Sequence, residues 1–149
     1  MPSQVRVLDF AEFKKTLDAS GNGPLDILVK KCGVVYVVMV TRERCSSCQE
    51  QKPMFEKLSG RLKRKHADQT EFLRVHSSYG HERNEEAEQC MDAFHTVGFP
   101  TYITAVRDNE GKTLETYRSL DAPISEIERN IEIGIAILGL IRERSETHA

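Results

Sequence analysis

Two cysteines separated by two serines, Cys45-Ser46-Ser47-Cys48, are the residues of this chain best suited to chemistry. They follow a run of β-branched residues and precede a helical pattern, so they fall where a strand hands over to a helix. Residues three apart on a helix share a face, at a separation that suits a disulfide. A sulfur at a helix N-terminus also meets unsatisfied backbone N–H groups and the positive end of the helix dipole, which favour its thiolate. Arg42 and Arg44 add positive potential there. Cys45 is therefore expected to be the nucleophile. Cys48, a turn deeper, is expected to resolve the mixed disulfide. Cys-x-x-Cys also occurs in zinc sites, normally with a second pair of ligands. Cys90 and His95 are the available completions, but five residues along a helix places them about 140° from facing. No metal and no cofactor beyond a redox-active disulfide are expected.

Two prolines stand in informative places. Pro53 lies five residues after Cys48, inside the helical pattern, where it removes the hydrogen bond to the Gln49 carbonyl. Gly98-Phe99-Pro100-Thr101 stands at the entry of an apolar strand, a position open to proline. Cys32 and Cys90 read as buried or half-buried small apolar residues, and His95 as a helix-end residue. Gly111-Lys112-Thr113 lacks the earlier glycine of a phosphate loop, since Val106 occupies its place.

The elements that must position the cysteines follow from periodicity. Asp9 is an N-cap with Glu12 three residues on, opening a helix through Phe10, Phe13 and Leu17 that ends at Gly21-Asn22-Gly23-Pro24. Residues 26–30 read as a short extended piece. Residues 33–41 are continuously apolar, the pattern of a strand covered on both faces. A helix is predicted over 46–66 with Met54, Phe55, Leu58 and Leu62 inward, a strand over 71–77, a helix over 84–95 and a strand over 101–107. Asp108-Asn109-Glu110-Gly111 signals a hairpin, with a return strand over 112–117. A last helix over 123–144 carries two apolar stripes. One is Ile124, Ile127, Ile131, Leu138 and Ile141; the other is Ile133, Ile137 and Leu140. So wide an apolar face suits a deeply packed helix, or a surface for a partner or for self-association. Strands alternating with helices predict parallel pairing, and the closing hairpin adds antiparallel strands to make a mixed sheet.

The chain has 149 residues, 39% hydrophobic and 30% charged, with a formal charge of −2. That suits one domain over residues 1–149 with its own core, the last few residues disordered. It gives no reason to expect nucleic acid or an anionic membrane as a partner. The basic cluster Arg61-Leu62-Lys63-Arg64-Lys65-His66 fits a solvated helix end. No basic-then-apolar leader is visible, and the longest apolar run is too short to span a bilayer. A cytoplasmic protein is expected. Four cysteines are too few to staple a chain of this length.

Taken together, these residues resemble the thioredoxin family. The match rests on Cys45-Ser46-Ser47-Cys48 after an apolar strand, Pro53 in the next helix, and Val97-Gly98-Phe99-Pro100-Thr101 before a later strand. The closing hairpin and terminal helix complete it, over nearly the whole chain. The resemblance implies an α/β three-layer sandwich, a central mixed sheet flanked by helices on both faces. It implies a cis Phe99–Pro100 bond with the proline beside the cysteine pair, the residue before it offering backbone hydrogen bonds to a bound peptide. The implied substrate surface is Arg44, Ser46, Ser47, Phe99, Pro100 and Thr101. The implied activity is thiol–disulfide exchange with protein substrates, supplied with electrons by a reductase or small thiol. The chain departs from the family at two points: Arg44 stands where thioredoxins carry Trp, and Met39 where they carry a buried Asp. Glu43 or a water is then left to take the Cys48 proton. These departures also leave open a non-enzymatic binding module on the same fold.

Overall fold

The computed structural model describes residues 4–78 and 85–148. Five strands form one mixed sheet in the order β1-β3-β2-β4-β5. The strands are β1 (Val5–Asp9), β2 (Val35–Arg42), β3 (Thr70–Ser77), β4 (Thr101–Arg107) and β5 (Thr113–Leu120). The helices are α1 (Phe10–Ser20), α2 (Pro24–Leu28), α3 (Ser46–His66), α4 (Glu85–Phe94) and α5 (Ile124–His148). β3 pairs in parallel with β1 and β2, while β4 runs antiparallel to β2 and β5. Among the described residues no helix is long and apolar enough to cross a membrane.

Alternation along β2 assembles two cores at once. Val35, Val37 and Met39 join Phe55, Leu58 and Leu62 of α3 and Ile127, Ile131 and Leu138 of α5 on one face. Val38 and Val40 join Phe10 and Phe13 of α1, Leu28 of α2, and Cys90 and Phe94 of α4 on the other. A strand flanked on both faces has no polar side, which is why 35–40 reads as an unbroken apolar run. α5 lies close against β2 at Gly134, where a Cβ would come within 3.0 Å of the Val35 side chain. α3 and α5 are also tied by charge. Lys65 Nζ reaches Glu132 at 2.7 Å, and Arg61 pairs with Glu128 and His66 with Glu132. The basic end of α3 is thus a clasp to α5 as well as a favourable helix terminus.

Several expectations need correction. A strand, β1, precedes the first helix, and Asp9 both ends that strand and caps α1 by accepting from the Glu12 N–H at 3.3 Å. Residues 24–28 are a short helix with Pro24 in its first turn, where its missing donor costs nothing, not an extended piece. Met54 points outward at 42% exposure, and Cys32 is exposed in the turn before β2. α5 runs past the expected end at Arg144 to His148; Ala149 and the expected helical start at Asn84 lie outside the described residues. On α5 the first apolar stripe is packed, whereas Ile133 and Leu140 of the second stripe are exposed at 46% and 64%.

Candidate functional site

The site forms where β2 ends and α3 begins. Cys45 is the N-cap of α3, with extended backbone, and its Sγ accepts the Cys48 N–H at 3.2 Å. Its carbonyl accepts the Gln49 N–H at 3.1 Å, the first helical bond. One sulfur thereby does what a capping oxygen does elsewhere, satisfying a first-turn donor that would otherwise be orphaned. Cys45 and Cys48 are joined by a disulfide, with Cα atoms 5.2 Å apart. Both are buried, at 7% and 4% exposure. Arg44 before them adopts positive φ and is exposed; Ser46 is exposed and Ser47 half-buried.

The second part comes from the segment before β4. The Phe99–Pro100 peptide bond is cis. The Phe99 carbonyl oxygen lies 3.8 Å from Cys45 Sγ, so a residue 54 positions away forms one wall of the sulfur's surroundings. As a disulfide sulfur Cys45 carries no proton, and this is a contact; as a free thiol it would have an acceptor in reach. The Arg42 guanidinium sits 5.9 Å over the Phe99 ring, within cation–π range. Pro100 is buried, and its carbonyl accepts the Asp121 N–H at 2.9 Å. Thr101 is turned inward at 1% exposure, donating to Gly98 O at 2.8 Å and meeting the Thr96 hydroxyl at 2.5 Å. Its side chain belongs to the scaffold of the loop, while the other residues assigned to substrate from the sequence gather around the disulfide.

Gln51, one turn beyond Cys48, locks the two parts together. Its side chain donates to the Asp121 carboxylate and accepts the Tyr102 hydroxyl at 2.5 Å. The Pro100 loop is therefore fastened to the helix that carries the cysteines. Nothing in a single sequence marks a glutamine for this, and it was not among the expected site residues.

A cavity of about 410 Å³ opens beside Cys48, lined by Thr41, Arg42, Glu43, Arg44, Gln49, Lys52, Arg74 and His76. Met39, buried completely, stands directly across from Arg74 in the β2–β3 register, and Thr41 across from His76. Arg74 Nη1 donates to Thr41 Oγ1 and to His76 Nδ1, both at 3.1 Å. An arginine only donates, so His76 Nδ1 is an acceptor and the ring proton sits on Nε2. Burial, and then the Arg74 charge, hold His76 below its ordinary value of 6.5; nearby Glu43, Asp9 and Glu86 pull the other way. Arg74 and His76 were missed from the sequence, although alternation in β3 marks them: Leu73 and Val75 face α4, which turns Phe72, Arg74 and His76 toward α3.

Cys90 is fully buried on α4, and burial pushes its thiol up to about 12. His95 follows the last residue of α4 with positive φ, a helix-end position. Among the described residues no group of three His, Cys, Asp or Glu side chains converges as a metal site.

A thioredoxin from Nicotiana alata superposes with a TM-score of 0.57 at 19% identity, covering 88% of this chain and 92% of its own. A thioredoxin from Malassezia sympodialis gives 0.55 at 19% identity, over 89% and 92%. The chain has the thioredoxin fold. Thioredoxin f2, solved in a complex with ferredoxin:thioredoxin reductase, gives 0.55 at 14% identity over 89% of this chain and 96% of that one. No family model and no curated protein matches at the level of sequence. Within the thioredoxin fold, this chain supplies a disulfide at the start of α3, a cis-proline loop facing it, and a cationic cavity behind it.

Proposed function

We propose that the chain is a thiol–disulfide oxidoreductase acting on protein substrates through Cys45 and Cys48. The observation that carries this reading is the placement of the Cys45 sulfur. It caps a 21-residue helix, accepts the Cys48 N–H, and faces the Phe99 carbonyl. In the reduced protein a Cys45 thiolate is favoured by the same N–H and by the helix dipole. It attacks a substrate disulfide; a Cys45–substrate bond forms and one substrate sulfur leaves as a thiolate. Cys48 then loses its proton to water, attacks Cys45 Sγ, and releases the second substrate sulfur. Two electrons have passed to the substrate and the Cys45–Cys48 disulfide is closed, the state described here.

Arg44, Ser46, Ser47 and the Phe99–Pro100 edge are the surface that meets the substrate in this reading. The reductase complex of thioredoxin f2 supports a reductase as the electron donor. A cytoplasmic location, where such a pair is kept reduced, belongs to the same reading. The test is catalytic reduction of a protein disulfide such as insulin, with a dithiol as the electron source. The wild-type chain is expected to turn over, and Cys45→Ser to fall to the uncatalysed rate; equal rates for the two would refute the proposal. The exposed Ile133 and Leu140 on α5 favour a second reading, a partner-binding module on the same fold. Binding and function that survive the double change Cys45→Ser, Cys48→Ser would select it.

A further inference from the structure

The cavity behind Cys48 holds an arrangement that exchange chemistry alone does not explain. Cys48 is buried, and burial penalises its thiolate. It nevertheless has to become a thiolate if it is to resolve a mixed disulfide. At the strand position where thioredoxins carry a buried Asp, this chain has Met39, which is apolar and fully buried. Across from Met39, on the same face of the sheet, stands Arg74. Arg74 and Cys48 line the same cavity.

Arg74 is itself unusual. It is half-buried, and among the described residues no carboxylate lies within ion-pair distance of it. Its guanidinium is held instead by two neutral acceptors, Thr41 Oγ1 and His76 Nδ1. Burial lowers it, yet an arginine in a protein stays charged. A charge fixed by neutral partners keeps its field for whatever else shares the space. What shares it here is Cys48, whose thiolate is the anion that appears during the reaction.

We propose that Arg74, braced by Thr41 and His76, is a fixed positive charge that favours the Cys48 thiolate across the cavity the two residues share. The inference rests on the exchange reading for its role in a reaction, but its test does not require turnover. Arg74 acts through Cys48 and is a positioning residue. It substitutes a permanent field for a proton acceptor: the Cys48 proton goes to water in the open cavity, the Cys48–Cys45 bond forms, and the Cys45–substrate bond breaks. The other charges around the cavity are set by their elements. Arg42, Glu43 and Arg44 come from the end of β2 and the turn after it, Lys52 from α3, and His76 from β3. Glu56 of α3 acts on Arg74 from a distance and is engaged by Lys52 at 3.9 Å. Asp9, across from His76 in the β1–β3 register, and Glu86 of α4 also bear on His76. Of these, the half-buried Arg74 and His76 are the two on β3, and burial first, then the Arg74 charge, lower His76 from its ordinary value.

The experiment is the pH dependence of Cys48 alkylation in the Cys45→Ser chain, read at Cys48 by mass spectrometry so that Cys32 and Cys90 do not contribute. Adding Arg74→Met is expected to raise the midpoint of the profile by about 1, and Arg74→Lys to return it most of the way. The methionine keeps the length and apolar stem of the side chain, and the lysine keeps the charge without the fork that grips Thr41 and His76. A midpoint unchanged in the Met variant overturns the proposal. So does an equal rise in the Met and Lys variants, which would mean that packing and not charge had been lost. A shifted midpoint in a protein that fails to reduce insulin would sink the exchange reading and leave this one standing; the reverse outcome would do the opposite.

Discussion

Cys45 Sγ and the carbonyl oxygen of Phe99 face one another at 3.8 Å, although 54 residues separate them. The approach depends on two fastenings: the Asp121 N–H on the Pro100 carbonyl, and Gln51 of α3 bridging Asp121 and the Tyr102 hydroxyl. A loop that must meet a reactive sulfur is thereby referenced to the helix that carries that sulfur.

Gln51→Ala is expected to cut both side-chain bonds and leave the Tyr102 hydroxyl short of an acceptor. The cost is about 1–3 kcal/mol of stability. Because the Phe99 edge loses its reference to Cys45, insulin reduction is expected to slow more than the fraction of folded protein declines. Denaturant unfolding and turnover, measured on the same preparation, separate the two effects.

Much of this architecture is legible in the residues themselves. The unbroken apolar run of β2, the 21-residue helix after it and the DNEG hairpin are strong local signals. β1 escapes because Val5-Arg6-Val7-Leu8-Asp9 is an edge strand, paired with β3 alone and largely open to solvent, so its alternation is faint. α2 escapes because five residues make fewer than two turns, too few for a helical period to show. At the site, the cysteines announce themselves, but the residues that surround them do not. Arg74 and His76 acquire meaning only through the β2–β3 register, and Gln51 only through the return of the chain at Asp121. Cys32 misleads because a cysteine is a small apolar residue by type, while its turn holds it in solvent.

Those two extra cysteines should behave oppositely. Cys32 is exposed, whereas Cys90 is buried with its thiol pushed to about 12. With the disulfide intact at neutral pH, iodoacetamide is expected to label Cys32 and leave Cys90 unmodified until the protein is unfolded. Peptide mass mapping before and after denaturant checks this.

His76 gives the fold an acid sensitivity of known sign. Burial first, and Arg74 second, hold its folded value below the 6.5 of the unfolded chain. Over the window just below pH 6.5 the unfolded chain therefore binds more protons than the folded one, and stability falls as pH drops. His76→Gln, which keeps an acceptor for Arg74 but cannot titrate, is expected to lose less stability than wild type between about pH 7 and 5. Denaturant titrations across that range measure it.

Two glycines of α5 predict opposite signs for the same substitution. At Gly134 an added Cβ meets Val35 at 3.0 and 3.1 Å, while at Gly139 it meets nothing within 4 Å. Alanine gains about 1 kcal/mol of helix propensity at either site. At 134 overpacking against the central strand costs about 1–3 kcal/mol. Gly139→Ala is expected to raise the thermal midpoint and Gly134→Ala to lower it, a contrast that scanning calorimetry resolves directly.

The most direct test of the central claim is to trap the chain on its substrate. Cys48→Ser removes the resolving sulfur and leaves Cys45 at the helix cap. Incubated with a disulfide-bearing protein such as insulin, this variant is expected to accumulate a covalent adduct linked through Cys45, released by dithiol and absent when Cys45 is also changed to Ser. An adduct confined to Cys32, or none at all, would contradict the account.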